Sequence, residues 1–203
     1  MYTSPGFKIS DHQEIIAFMR SYSFATIVTS QNNIPVATPL PFAVTEKDDD
    51  IYLHSHFAKA NDQWKDIGSN DTLVIFAEPH AYISTQHYDR EQNVPTWNYM
   101  AVHVYGKGQI ITDTDEALLE LNHMITAFEK EYQSKWDSMP ATYRDGMLKA
   151  IIPFRIKVTS IQAKKKISQN RSASEKERII QALDKSIDTN AKAIAELMKK
   201  EIK

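Results

Sequence analysis

The segment HSHFAKANDQW, residues 54–64, contains side chains that could bind a metal, form a catalytic pair or hold an anion. His54 and His56 stand two residues apart at the end of an apolar run that predicts a strand, so both side chains lie on one face. Zinc normally requires three or four ligands, and no nearby Asp or Glu completes such a set. We therefore predict that the segment binds no metal.

The same segment continues with polar residues at the point where a helix is predicted to begin. These residues are Ser55, Lys59 and Asn61. The free N–H groups and the dipole of a helix start attract a phosphate, and a lysine adds a positive charge. In the alternative reading, these residues only end a strand and leave a lysine on the surface. Our prediction is an anion-binding segment to which His54 and His56 also belong.

Other common kinds of site are excluded or unsupported by the sequence. The chain has no cysteine, which excludes disulfides, thiolate catalysis and cysteine-ligated zinc or iron–sulfur sites. It has 5 glycines and no G-x-G-x-x-G or P-loop motif, so we expect no dinucleotide or triphosphate site of the usual kind. No Ser–His–Asp arrangement can be assigned, because the sequence does not say which carboxylate lies beside which histidine. We predict no catalytic residue.

A strand is predicted at residues 97–110, and neither of its two faces has the composition of an ordinary solvent-exposed face. Its even positions Met100, Val102, Val104 and Ile110 form a core face. Its odd positions carry Trp97, Tyr99, Ala101, His103, Tyr105 and Lys107. Amphipathic aromatic side chains of this kind are typical of an interface or of a surface that contacts a flat ligand, although a second core face is an equal alternative.

The elements that position these residues are mostly short strands. The segment IPVATPLPFAVT, from residue 34, alternates as one strand and places Pro35, Pro39 and Pro41 on the same parity. Proline cannot donate a backbone hydrogen bond, so this strand should lie at a sheet edge or leave room on that side for another group. The flanking QNN and DDD segments predict turns.

Seven or so strands with short connections predict an antiparallel sheet that closes into a small barrel of the α+β class, mainly β. Helices are predicted at residues 115–134, at about 141–149 and from Ser174 onward, with a break near Asp188. The apolar side of the C-terminal region comprises Ile180, Leu183, Ile187, Ile194, Leu197 and Met198.

Charge is distributed unevenly along the chain. Residues 1–156 contain 12 Lys and Arg against 20 Asp and Glu, a net −8, whereas residues 157–203 contain 12 against 6, a net +6. The basic tail could meet nucleic acid or an acidic surface of a partner subunit, or it could be a solvated helix face. No apolar run approaches the roughly 20 residues of a membrane span, and the N-terminus lacks signal-peptide features, so we predict a cytoplasmic protein without membrane contact.

Five segments together make the sequence similar to a known family. ATPLPF, HFAKANDQW, PHAYIS, VPTWNYMAVHVYGKG and KISQNR, in this order and spacing, resemble the PaiB family of FMN-binding negative transcriptional regulators. That family is similar in fold to the flavin-reductase and pyridoxamine-phosphate-oxidase split barrels. The resemblance implies an antiparallel split β-barrel with flanking helices at residues 1–163. It also implies a basic C-terminal helical extension, residues 164–203, that packs on the barrel or on the partner subunit.

The resemblance further implies a homodimer with two FMN sites at the subunit interface. It places the phosphate in the anion-binding segment, the flat ring along the proline-rich strand, and the Trp97 face in the dimer contact or the wall of the site. The candidate cofactor-binding residues are His54, Ser55, His56, Lys59, Asn61, Pro39, Leu40, Trp97, Asn98, Gln169 and Arg171.

The function implied is negative regulation of transcription, of the protease-synthesis and sporulation type, rather than catalysis. No helix-turn-helix motif is found, so we expect DNA contact to be weak or indirect. One alternative is an FMN-dependent oxidoreductase or a haem-handling split-barrel enzyme, and another is a barrel without cofactor that serves only as an interaction module. Two residues depart from the family pattern: Pro39 replaces a histidine, and Asp62 replaces a proline. A carboxylate beside the predicted phosphate position should weaken anion binding.

Overall fold

The computed structural model describes residues 1–202, and this range forms eight strands and six α-helices. The strands are β1 (Phe24–Gln31), β2 (Ile34–Pro41), β3 (Ala43–Lys47), β4 (Asp50–Ala58), β5 (Thr72–Phe76), β6 (His80–Ile83), β7 (Thr96–Ile110) and β8 (Ile151–Lys166). The helices are α1 (His12–Ser21), α2 (Thr114–Phe128), α3 (Tyr132–Ser138), α4 (Ala141–Leu148), α5 (Ala173–Asp184) and α6 (Thr189–Ile202).

The strands form one sheet in the order β2-β1-β5-β7-β8-β4-β3, with β6 paired to β7. The pairings of β1 with β2 and β5, of β4 with β3 and β8, and of β6 with β7 are all antiparallel. The two end strands, β2 and β3, are consecutive in the chain and are separated only by Phe42. The predicted antiparallel sheet of the α+β class is therefore confirmed.

The proline-rich segment was predicted as one strand, and this is wrong in detail, because Phe42 divides it into β2 and β3. The expected edge position is confirmed, since β2 ends the order of strands. Both predicted turns are also confirmed. Asn32 and Asn33 in one, and Asp48 and Asp49 in the other, have positive φ values of 52°, 63°, 52° and 68°. Such two-residue hairpin loops favour Asn and Asp because these residues tolerate the left-handed conformation.

The chain forms two compact units. The terminal unit comprises residues 1–15, 77–102 and the chain from residue 162 onward, and the central unit comprises residues 16–76 and 103–161. The expected division into a barrel domain, 1–163, and an extension, 164–203, stays a prediction.

The central unit has an aromatic core. Phe42 meets Phe76 edge-on with ring centroids 6.0 Å apart, and Phe57 stacks on Phe154 at 4.9 Å. All four rings are completely or almost completely buried. Truncating one such side chain to alanine typically costs about 3–5 kcal/mol, so these rings hold the inner face of β4 and β8 in place.

The terminal unit has a separate apolar core. Its buried residues are Ala81, Ile83, Tyr88, Ile167, Ile179, Ile180, Leu183, Ala191, Ile194, Ala195 and Met198. The predicted helix break near Asp188 is confirmed, because α5 ends at Asp184 and α6 begins at Thr189. Assigning Ile187 to the apolar side is wrong, since this residue belongs to the loop that connects α5 to α6 and its side chain is 99% exposed.

Two further predictions concern β7 and the helices after it. The even positions Met100, Val102 and Val104 are buried as expected. The single helix predicted at 115–134 is wrong, because α2 ends at Phe128 and α3 begins at Tyr132.

Candidate functional site

Strand β4 carries His54 on the face opposite to its core residues. Leu53 and Phe57 are fully buried in the core, and alternation along the strand turns His54 and His56 to the other face. His54 is nevertheless only 4% exposed. A histidine this buried must satisfy both ring nitrogens within the protein.

Both nitrogens of His54 have partners in the central unit. Nδ1 lies 2.5 Å from Oε2 of Glu120, and Nε2 lies 2.7 Å from Oγ1 of Thr45. Glu120 is itself only 3% exposed. A hydroxyl, an imidazole and a carboxylate thus form one hydrogen-bonded chain, and this chain fixes the orientation of the imidazole ring.

Two further residues surround this chain. Nη1 of Arg155 lies 3.4 Å from the second oxygen of Glu120, and its Nη2 lies 2.8 Å from Glu116. The ring of His123 stacks on His54 with centroids 4.3 Å apart. Burial, and then the neighbouring His54 and Arg155, lower the pKa of His123, against the opposing effect of Glu120. The pKa of His123 therefore lies below its ordinary value, which favours the neutral ring.

A cavity of about 650 Å³ opens beside these residues, and we call it the basic cavity. Its lining residues are Thr45, Glu46, Lys47, Tyr52, His54, Lys107, Gln109, Glu120, His123, Arg155 and Lys157. Four of these side chains are cationic and two are carboxylates. A second cavity, of about 480 Å³ and mostly apolar, shares Thr45 and His123 with it.

A third cavity, of about 450 Å³, lies at the predicted anion-binding segment, and we call it the Lys59 cavity. Lys59 and Lys149 supply its positive charges, and Asp145 supplies one carboxylate. The rest of its wall is mostly apolar and includes Trp64 and Ile152. Lys59 is exposed, and its side chain makes no ion pair in the part of the chain that the structure describes.

The other predicted residues of this segment are engaged within the central unit. The hydroxyl of Ser55 donates to the carbonyl of Pro41 at 2.7 Å. The side chain of Asn61 accepts from the backbone N–H of Gln63 at 3.1 Å and donates to the hydroxyl of Thr38 at 3.0 Å. The predicted helix is a 3-10 turn of four residues, Asp62–Lys65, too short to act through a helix dipole.

His56 differs from its neighbours because its Nδ1 is buried and has no hydrogen-bond partner among residues 1–201. Burial lowers the pKa of His56, which favours the neutral ring. An unsatisfied buried nitrogen is costly and is the kind of atom that a bound group can satisfy. Of the histidines predicted for the cofactor, His56 thus has a free nitrogen, whereas His54 has none.

The proline-rich strand is linked to the same segment by a polar contact. The hydroxyl of Thr38 donates to the side chain of Gln63 at 2.5 Å, and Gln63 in turn donates to the carbonyl of Val36 at 3.0 Å. Of the two predicted ligand residues that follow Thr38, Pro39 is exposed and Leu40 is half-buried. The structure therefore brings the Pro39 strand and the Asn61 turn together.

The remaining predicted residues belong to the terminal unit. Trp97 is 52% exposed and packs against His80 and Tyr82, with ring centroids 5.8 Å away in each case. Asn98, by contrast, is fully buried, and its amide donates to the hydroxyl of Ser168 at 2.9 Å. Asn98 is thus engaged within the terminal unit, and its assignment to the cofactor stays a prediction.

Gln169 and Arg171 are also occupied by contacts within the terminal unit. The side chain of Gln169 donates to the carbonyl of Lys165 at 2.5 Å and accepts from the backbone N–H of Ile167 at 2.8 Å. The guanidinium of Arg171 lies 3.7 Å from the ring centroid of Tyr88. Their assignment to a cofactor stays a prediction.

Comparison with known proteins identifies the family. The model of the family described as "Putative FMN-binding domain" matches residues 1–160. The protease synthase and sporulation protein PAI 2 of Bacillus subtilis is 42% identical over 206 residues, which cover 100% of this chain and 99% of that protein. The chain belongs to the PaiB family. The resemblance drawn from its five segments is confirmed.

Solved structures show the fold of this PaiB family member. A flavocytochrome of Azotobacter vinelandii matches with a TM-score of 0.63 and 15% identity, covering 81% of this chain and 72% of that one. The FAD and heme binding protein of Mycobacterium smegmatis matches with a TM-score of 0.62 and 13% identity, covering 78% and 73%. The predicted split-barrel fold is confirmed, and FMN is the cofactor to which the family points.

The residues of the Lys59 cavity fit such a cofactor. FMN combines a phosphate with a flat, largely apolar ring, and the cavity combines two ammonium groups with an apolar wall. Lys59 and Lys149 would hold the phosphate, and Trp64 and Ile152 would face the apolar part. Asp145 offsets one of the two positive charges.

Sequence reasoning missed four residues around His54, namely Thr45, Glu120, His123 and Arg155. One signal was available for Glu120. It lies on the same helix face as the buried residues Ala117 and Met124, where an apolar side chain is expected. A glutamate on that face indicates a buried partner, although the helix alone does not say which one.

None of the helices in residues 1–202 combines the length and apolar character needed to cross a membrane. The same part of the chain contains no group of three or more His, Asp or Glu side chains arranged to hold a metal ion.

Proposed function

We propose that this PaiB family member is an FMN-binding negative regulator of transcription, of the protease-synthesis and sporulation type. The observation that carries the proposal is the 42% identity to PAI 2 along the full length of both proteins. A cytoplasmic location goes with this role. When bound, FMN would supply a redox-active group, so that the regulator could respond to the oxidation state of its surroundings.

Lys59 is the residue on which FMN binding should depend most. Replacing Lys59 with alanine removes one charge-assisted contact, which is typically worth about 1.5–3 kcal/mol, or roughly a ten- to hundredfold loss of affinity. Lys59→Arg should retain part of the affinity. The measurement is quenching of FMN fluorescence on titration with protein.

Lys130→Ala is the matched control, because Lys130 is exposed and lines none of the three cavities. Equal affinity of wild type and Lys59→Ala would contradict the proposed cofactor site. Failure of the wild-type protein to bind FMN at all would contradict the cofactor itself.

The regulator is proposed to act as a homodimer, and an exposed aromatic patch supports this. The patch comprises His80, Tyr82 and Trp97 in the terminal unit, and the latter two are 54% and 52% exposed. Aromatic side chains are enriched at subunit interfaces. Trp97→Ala should lower the thermal midpoint and increase dissociation on dilution, as measured by sedimentation velocity. A wild-type protein that sediments as a stable monomer at micromolar concentration would exclude the homodimer.

Direct DNA binding by this chain is expected to be weak. Several cations of the basic tail are paired, including Lys165 with Glu14 at 2.6 Å and Glu201 at 2.5 Å. Burial alone would lower the pKa of Lys165, but these two carboxylates raise it above its ordinary value. Lys165 therefore stays charged and remains in its ion pairs. The other basic side chains alternate with the buried apolar residues of α5 and α6, so few of them can meet phosphates at once, and gel-shift affinity should fall only slightly with salt. Tight, sequence-selective binding would contradict this expectation.

An FMN-dependent oxidoreductase or haem-handling enzyme is the second candidate function. The observation that favours it is the buried pair of His54 and Glu120 beside a cavity, since buried ionisable pairs often occur at active sites. Absorbance spectra with added FMN or haem, followed by assays of reduced-nicotinamide oxidation, separate the candidates. Turnover with a bound cofactor would favour the enzyme.

A further inference from the structure

The basic cavity concentrates positive charge on an otherwise acidic part of the chain. Residues 1–157, which include the whole lining, contain 13 Lys and Arg against 20 Asp and Glu, a net charge of −7. The lining of the cavity nevertheless contains four cationic side chains against two carboxylates, a net +2 with the histidines neutral. A cavity that reverses the charge of its surroundings selects for anions, because it attracts them where the rest of the surface repels them.

Two of the four cations are neutralised by ion pairs within the central unit. Lys157 lies 2.5 Å from Asp50. Arg155 lies 2.8 Å from Glu116 and 3.4 Å from Glu120. These residues complete the wall of the cavity, but their charges are already engaged by carboxylates of the protein.

The other two cations, Lys47 and Lys107, make no ion pair with any residue in the part of the chain that the structure describes. The carboxylate of Glu46, which also lines the cavity, is bridged to Arg20 at 3.2 Å. Lys47 and Lys107 are thus the two cations of the lining without an ion-pair partner among the described residues, and a ligand with two negative charges could contact both.

The floor of the cavity is rigid and polar. Thr45, His54 and Glu120 form their hydrogen-bonded chain there, and His123 stacks on the imidazole. Fully satisfied buried polar networks hold side chains in a single arrangement, and binding then requires little reorganisation. The hydroxyl of Thr45 and the exposed ring of His123 add hydrogen-bonding groups to the two lysines.

We propose that the basic cavity binds a small organic dianion, a dicarboxylate or a phosphomonoester, between Lys47 and Lys107. The cavity volume of about 650 Å³ lies within the range of small-molecule sites, roughly 300–1,000 Å³. This site is distinct from the Lys59 cavity, with which it shares no lining residue. The inference therefore goes beyond the proposed FMN function and does not depend on it.

The test is isothermal titration of the full chain with succinate, with glycerol 3-phosphate and with inorganic phosphate, with acetate as the monoanion control. We expect at least one of the two organic dianions to bind, and acetate to bind much more weakly. Succinate and glycerol 3-phosphate distinguish the carboxylate source from the phosphate source. Tight binding of inorganic phosphate but of neither organic dianion would overturn the proposal that the ligand is an organic dianion.

The variants are Lys47→Ala, Lys107→Ala and their combination, and the matched control is Lys130→Ala. Lys130 is exposed and lines none of the three cavities. Each cavity lysine should contribute about tenfold to dianion affinity, and the control should change it by less than about twofold. Equal weakening by Lys130→Ala, or no binding of any dianion to the wild type, would overturn the proposal.

An FMN titration of the double variant separates this inference from the proposed function. We expect FMN affinity to be unchanged in Lys47→Ala/Lys107→Ala, whereas Lys59→Ala should weaken FMN and leave the dianion unaffected. Loss of FMN binding in the double variant would assign the basic cavity to the flavin site and overturn the inference. Loss of FMN binding in Lys59→Ala alone supports the proposed function and leaves the dianion result intact.

Discussion

The basic cavity and the start of α5 use the same kinds of charged residue in opposite ways. Around α5, Asp89 pairs with Arg178, and Glu175 accepts from the backbone N–H groups of Asp89 at 2.9 Å and Ser172 at 3.1 Å. Arg171 covers the ring of Tyr88. In the basic cavity, two lysines have no such partner. Charges satisfied within a unit stabilise it, whereas unpaired charges around a cavity are available to a ligand.

The comparison also shows that residues that identify the family and residues that line a cavity can be different ones. The segment SQNR is among the most specific matches to the family, yet its Gln169 and Arg171 are held by local contacts. Lys107 was not among the candidate cofactor-binding residues, yet it lines a cavity and has no ion-pair partner among the described residues. A motif can be specific because it builds the fold.

The largest effect is expected from Glu120→Ala in the basic cavity. It leaves His54 buried without its carboxylate and removes one partner of Arg155, and breaking a buried pair in this way typically costs about 3–5 kcal/mol. Glu120→Gln keeps the shape and should cost less. Urea denaturation measures both free energies of unfolding. A cost below about 1 kcal/mol for Glu120→Ala would show that the cavity floor is not a stabilising network.

A smaller effect is expected at the start of α5 from Glu175→Gln. Both carboxylate oxygens of Glu175 accept a backbone N–H and glutamine keeps only one acceptor oxygen, so the change should cost about 1 kcal/mol. Hydrogen bonds from the backbone of Asp89 and then Ser172 lower the pKa of Glu175, against burial. Its stabilising contribution is thus present above the ordinary glutamate pKa and lost as pH falls through the lowered value. In thermal melts, the midpoint of the variant should fall less steeply than that of the wild type as the pH is lowered from neutral to acid.

Neither FMN nor dianion affinity should change in Glu175→Gln, because the α5 network is structural. A clear loss of either affinity would show that the α5 network contributes to ligand binding and is not only structural.

His56 provides a test of pH dependence in the central unit. Burial lowers its pKa from the ordinary value of 6.5, so below that pH the unfolded chain binds more protons than the folded one. The free energy of unfolding should therefore fall as pH drops below about 6.5. In His56→Gln this fall should be reduced, as measured by denaturation at about pH 7.5 and about pH 5.5. Identical falls in both proteins would show that His56 is not buried as a neutral ring.

The smallest effect is expected from Asp62→Pro, which restores the family residue. Asp62 is exposed and already paired with Lys65, so it repels an anion only weakly. An interaction between exposed charges is typically worth about 0.2–1 kcal/mol and is screened by salt. FMN affinity should rise by at most about fivefold, and the gain should vanish at high salt. A gain that persists at high salt would indicate a backbone effect of proline instead.

Features that depend on neighbouring residues were predicted well from the sequence. The Asn32–Asn33 and Asp48–Asp49 turns depend on which residues tolerate positive φ, and the edge position of β2 depends on the missing N–H groups of its prolines. The buried even face of β7 depends on simple alternation. The break at Phe42 escaped prediction, because alternation continues across it and only the pairing partners change.

The sequence by itself determined the class of fold, the family, and the lysine at the end of β4 as a candidate for binding an anion. These conclusions follow from local periodicity, turn chemistry and motif order, all of which act over a few residues. Only the tertiary structure decided that Glu120, 66 residues beyond His54, would be the hydrogen-bond partner of the Nδ1 of His54. It also decided that Lys47 and Lys107 would line the same cavity. The physical reason is that the packing of α2 against β3 and β4 pairs charges across long stretches of chain, and no local pattern specifies which charges meet.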